Sequence, residues 1–279
     1  MWKTFISSLF VVWLVVGIPI AVNALSFHSA LDPIKIDGRP GQVVTREFRL
    51  TLAADEQRTH FKTRVEDWWR SEDGNQSFYR APGAPGTPTR SCAKWVRLNP
   101  VEAVVEPGGT LNIRVTTAIP ADEKPGGYWS VLTVDEVPDP LVVVPGIGIR
   151  CVASVSVGIF VYIQPLQRIV KVTDVQILPE QASVKVRNEG NTPLGVEGRI
   201  EFVRTGENQP VATAKIRRET VLPEPINTQI LVTTMPEPAT LPSGRYMVRV
   251  ILDIGLDHYI GVQKEMDIQR EAALSPPSK

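Results

Sequence analysis

The sequence predicts an all-β chain of two tandem β-sandwich domains behind an N-terminal signal peptide, and three observations carry that expectation. The first is an internal repeat. Val105–Val134 and Val221–Leu252 share one order of parts: a Pro-rich turn, a strand ending Val-Thr-Thr (Val115–Thr117, Val232–Thr234), a proline (Pro120, Pro236), then a second turn and a second strand. A period of roughly 115 residues suits two domains of one kind rather than a solenoid. The second is the repeated turn itself, Pro125-Gly126-Gly127-Tyr128 and Pro242-Ser243-Gly244-Arg245-Tyr246. Proline fixes φ and glycine tolerates a reversal. A tyrosine entering the next strand can then bury its ring and bond its hydroxyl to turn backbone, the corner device of immunoglobulin-like sandwiches. The third is strand number. Short alternating segments recur at regular spacing, about seven per domain, as that fold requires.

Taken in order, the chain opens on its most legible segment. Lys3 gives a short positive start, Phe5–Val22 is uncharged and apolar, Pro19 breaks a helix, and Val22-Asn23-Ala24 offers small residues before a cut. This reads as a signal peptide over residues 1–24, the alternative being a retained membrane anchor. No second apolar run of spanning length follows, so the mature chain is expected to be exported, periplasmic or secreted, without a membrane span. Domain 1 then occupies 25–164, domain 2 165–269, and 270–279, with Pro276-Pro277, a disordered tail.

In domain 1, strands begin at Ile34. Pro40-Gly41 is a turn, and Val44, Phe48, Leu50 and Leu52 alternate with polar residues. In Thr59–Trp69, Phe61, Val65 and Trp69 share one face; period two puts Trp69 in the core and Trp68 outside or at a rim. Arg70–Ser91 reads as the least structured stretch. Cys92 begins a fourth strand and the repeat unit follows. Ile147–Ile163 is the most regular segment: every odd position is apolar, with Ser154, Ser156 and Gly158 between. It ends at Gln164-Pro165, the predicted boundary. Domain 2 runs through Val184 and Val186, the turn Asn188–Asn191, a strand with Val196, Ile200 and Phe202, the turn Thr205–Pro210 and a strand at Val211–Ile216. After the repeat, Val248, Val250, Leu252 and Ile254 share a face, and a last strand carries Ile260, Val262, Met266 and Ile268.

Composition excludes several functions. With 30 basic and 30 acidic side chains the net charge is zero, whereas a nucleic-acid footprint needs a basic face. His28, His60 and His258 are scattered, so no metal site or cofactor is expected. Gly146-Ile147-Gly148 lacks the third glycine and helix of a dinucleotide site. No nucleophile elbow or phosphate loop occurs, and a non-enzymatic protein follows. Cys92 and Cys151 would meet an oxidising compartment, which favours a bridge. Sandwich topology sets their strands at distant corners, so the sequence leaves both states open.

Signal peptide, tandem sandwiches, Arg39-Pro40-Gly41-Gln42 after a short first strand and a long alternating strand into the linker together resemble the PapD-like periplasmic pilus chaperones. That resemblance implies a protein that holds an unfinished pilus subunit by adding its last first-domain strand to the subunit's open sheet. It also implies an arginine and a lysine that grip the subunit's terminal carboxylate. Lys35 falls at the arginine's place and Phe160 at the lysine's, so the grip is half present. A second resemblance, through Trp95, Pro125–Trp129 and Asn188–Asn191, is to the two-domain surface proteins associated with WxL proteins, and implies a structural or adhesive envelope module. The expected partner is a protein, a pilus-like or surface subunit. The expected contact residues are Val155, Val157 and Ile159, filling a partner's groove from an edge strand, with Lys35 as a charged contact.

Overall fold

The structure, a computed structural model, describes residues 27–28, 32–79, 89–137, 152–225, 227–238 and 240–269. The signal segment, the tail, Ile147, Ile149 and Cys151 lie outside them. In the first sandwich the strands are β1 (Phe27–His28), β2 (Ile34–Gly38), β3 (Val43–Leu52), β4 (Thr59–Arg70), β5 (Gln76–Tyr79), β6 (Val96–Asn99), β7 (Glu102–Val105), β8 (Thr110–Ala118), β9 (Gly126–Val137) and β10 (Ser154–Ile163). One sheet has the order β1-β3-β8-β6; the other runs β2-β10-β9-β4-β5, with β7 also on β4. The second sandwich uses β11 (Val170–Ile177), β12 (Gln181–Asn188), β13 (Leu194–Arg204), β14 (Pro210–Val221), β15 (Thr228–Thr234), β16 (Gly244–Asp253) and β17 (Ile260–Ile268). Its sheets are β11-β12-β15 and β14-β13-β16-β17.

Alternation explains the packing. In β8, Leu111, Ile113, Val115 and Thr117 are buried while the intervening Asn112 and Arg114 are exposed. Phe48, Leu50 and Leu52 face them from β3, and Leu132 and Val134 from β9, in one continuous core. Each such aliphatic side chain contributes about 1.5–3 kcal/mol when fully buried. The second core repeats the pattern with Val184, Val186, Ile200, Phe202, Val248, Val250 and Leu252. In both domains the first strand of the repeat lies in one sheet and the second in the other (β8 and β9; β15 and β16). The repeated turn is therefore the step between sheets.

That step is closed as the sequence predicts. The single Tyr128 O–H has two acceptors in reach, the Lys124 carbonyl at 2.8 Å and Glu123 Oε1 at 2.7 Å. Tyr246 Oη donates to the Pro242 carbonyl at 2.8 Å. Both rings are buried. Burial, then the Glu123 carboxylate, pushes the Tyr128 hydroxyl up to about 12. Tyr246→Phe leaves the Pro242 carbonyl without this donor and is expected to cost about 1–3 kcal/mol in the second sandwich. An unchanged denaturation midpoint would show that the hydroxyl contributes nothing.

Three expectations need correction. Gln76–Tyr79, inside the stretch read as unstructured, forms β5 and pairs with β4 from Asp67 to Arg70. After Cys92 the chain makes a turn of 3-10 helix, Ala93–Trp95, before β6. The tryptophans exchange roles: Trp68 is buried, and Trp69 is half-buried and outside the first core. Period two assigns a residue to a face but does not say what covers that face. Here the second domain covers the outer one, where Trp68, Trp129, Val131 and Phe160 meet Leu222 in a separate apolar cluster. Cys92 is a free, fully buried thiol 3.1 Å from Ser130 Oγ, and burial pushes its pKa up to about 12.

Candidate partner-binding edge

Strand β10 is paired along one side only in part. Antiparallel β9 accompanies it from Ser154 to Ile163. Parallel β2 reaches only Ile159–Ile163, setting Ile34 opposite Ile159 and Lys35 opposite Phe160. Among the described residues no strand pairs with Ser154–Gly158 on that side. The direction of the backbone there follows from one bond. The Ala153 carbonyl accepts from the Glu136 N–H at 2.9 Å, so odd-numbered residues point at β9. Successive residues of a strand alternate, and Ser154, Ser156 and Gly158 accordingly turn their N–H and C=O groups to the open edge. Unpaired groups of this kind are a template for an added strand.

The side chains divide between two faces. Val155, Val157 and Ile159 point into the first sandwich, 7%, 2% and 0% exposed, and belong to its core. Lys35 is exposed on the outer face, beside Phe160 in register. The structure thus brings together the two positions that the resemblance singles out, as a cation and a ring. Phe160 lies edge-on to Trp68 at 6.2 Å between centroids and stacks on Tyr162 at 6.4 Å. Its ring also reaches back over Gly158: a Cβ there would sit 2.8 Å from Phe160 Cε2, so any larger residue forces the ring aside.

Above the aromatics the outer face is polar and tightly knit. Ser154 Oγ donates to Asp135 Oδ1 at 2.8 Å, and Arg64 pairs with both Asp135 and Glu66. Thr133 Oγ1 donates to Glu66 at 3.2 Å and lies 3.2 Å from Ser156 Oγ. This network fixes β10, β9 and β4 side by side, so the open edge is rigid on its inner side. Below the aromatics, Asp37 of β2 and Arg39 and Gln42 of the β2–β3 turn line, with Tyr162 and Gln164, a cleft of about 930 Å3. Burial, then the Asp37 carboxylate, raises the Tyr162 pKa.

The sequence missed the aromatic cluster and the network. One signal was present: Phe160 and Tyr162 are the large residues on a face otherwise built of Ser154, Ser156 and Gly158. No group of three or more His, Cys, Asp or Glu side chains among the described residues could hold a metal ion. No described helix is long and apolar enough to cross a membrane.

Two sandwiches in tandem, with the last strand of the first running into the linker, make the all-β architecture that the sequence predicts. No family model and no curated protein sequence matches the chain. Solved structures do resemble it. The class 5 fimbriae chaperone CfaA aligns over 86% of this chain and 99% of its own, at 13% identity and a TM-score of 0.49. A chain of the Salmonella enterica SafA pilin–SafB chaperone complex aligns over 88% of this chain and 99% of that one, at 11% identity and a TM-score of 0.47. For the E. coli chaperone DraB the shares are 88% and 97%, the identity 12% and the TM-score 0.41. The likeness is one of fold.

Proposed function

We propose that the chain is a non-enzymatic, exported binding protein that holds an incomplete pilus or surface-fibre subunit by strand addition. The observation that carries this reading is the open edge at Ser154–Gly158, whose backbone groups face away from β9. An extended segment of the subunit continues the sheet along that edge. Val155, Val157 and Ile159 serve it from beneath, holding the edge straight through their own burial, and Lys35 offers the charged contact for a terminal carboxylate. With Phe160 beside it, that grip is a single cation rather than a pair.

Ser156→Pro tests the edge directly. The Ser156 N–H points away from β9, so proline removes a donor offered to a partner and no rung of the existing ladder. The variant is expected to fold, keep its unfolding free energy within about 1 kcal/mol of wild type, and lose co-purification of a strand-deficient subunit from envelope extract. Equal capture by wild type and variant overturns strand addition at this edge and favours a structural or adhesive envelope module.

A further inference from the structure

The geometry points to a latch between the domains: the β4–β5 hairpin of the first sandwich docks on β15 of the second and fixes the angle between them. β15 is the edge strand of its sheet. Its Ile230 N–H donates to the Glu72 carbonyl at 2.7 Å, which makes the hairpin tip a one-residue extension of the second domain's ladder. The buried Gln229 amide donates to the same carbonyl at 3.2 Å. Glu72 also pairs with Lys185, which stands opposite Ile230 on β12. Two residues back, Arg70 Nη1 lies 2.6 Å from Glu219 Oε2 and its Nε donates to Gly74 O at 3.3 Å, tying β14 to the hairpin's own turn.

The tip is shaped for this contact before it is made. Ser71 bonds Asp73, and Asn75 Nδ2 donates to Asp73 Oδ2 at 2.6 Å. The Ser71 N–H donates to the Asn75 carbonyl at 2.9 Å, closing the loop. Gly74 has φ +90°, and a Cβ there would lie 3.1 Å from Gln229 Nε2, so the residue must be small both for its backbone and for its neighbour. Exposed ion pairs alone hold little. Here they flank a backbone bond and a buried amide, on the side of the elbow away from the linker. On the linker side, Gly127 N–H donates to Asn191 O at 2.8 Å. With an attachment on each side of the apolar cluster, the domains are held as one body, whereas tandem domains by default move.

The test uses the full chain with Cys151→Ser and spin labels on Val43→Cys and Val262→Cys, both exposed positions. Electron–electron distance distributions and amide exchange at Ile230 are read for this background, for Arg70→Ala with Lys185→Ala, and for Lys185→Met alone in case the double variant does not fold. Expected is a narrow distribution that broadens when the latch is weakened. The Ile230 amide should exchange about tenfold faster while the β12 core amides stay protected. A distribution that stays as narrow in a folded latch variant overturns the proposal whatever Ile230 does, and places control of the angle in the aromatic cluster.

Discussion

Val157→Glu is expected to abolish cooperative folding of the first sandwich. Val157 is 2% exposed, stands opposite the fully buried Leu132 on β9, and has Val155 and Ile159 as its neighbours on the same face. A carboxylate there finds no cation in an aliphatic core and either stays charged at high cost or takes up a proton. The loss should exceed about 4 kcal/mol, a large part of the 5–15 kcal/mol that holds a typical domain. Denaturant unfolding of the full chain should show the second sandwich melting alone. Loss of partner capture in this variant would then report unfolding rather than a broken contact, which is why Ser156→Pro is the sharper probe of the edge. If Val157→Glu melts like wild type, the side chain reaches outward, and direct contact between these valines and a partner is the better account.

Trp129→Ala should be nearly as costly and act differently. Its ring is almost wholly buried, and Nε1 donates to the Trp68 carbonyl at 2.8 Å. Truncation empties the middle of the cluster shared with Leu222, and large-to-small changes of this size cost about 3–5 kcal/mol. Because the cavity opens where the domains meet, the expected signature is uncoupling: a wild-type transition that splits into two, the first sandwich melting earlier. An unsplit transition at the wild-type midpoint would mean that the cluster is not what joins the domains.

The parts of this fold legible in the sequence are those decided by local chemistry. Tyr128 and Tyr246 announce their corners because proline, glycine and tyrosine act within five residues of one another. The strands β8, β12 and β16 are legible because strict alternation leaves one reading for each face. Trp68 and Trp69 show where this stops: period two sets them on opposite faces, but both pack against the cluster that meets Leu222 of a second domain far along the chain. Likewise the alternation at Val155–Ile159 marked a two-faced strand without saying that the apolar face belongs to its own core. Strand β5 was hidden because Gln76–Tyr79 is too short to show a period. The open edge was hidden too, since β2 begins only at Ile34 and the register against β10 alone exposes that.

The two kinds of closure in the first sandwich differ in the length of chain they must gather. The Tyr128 corner closes through a contact four residues long, whereas β2 meets β10 only after nearly the whole domain has been made. Loop-closure entropy rises by about 0.6 kcal/mol with each doubling of the intervening chain, so the corner is the cheap step and the parallel pairing the expensive one. Strand β10 carries both the sealed stretch and the open one. The strand proposed to offer an edge to another polypeptide is therefore also the strand whose arrival completes its own domain, with Ile34–Gly38 and an incoming segment on adjoining lengths of one edge.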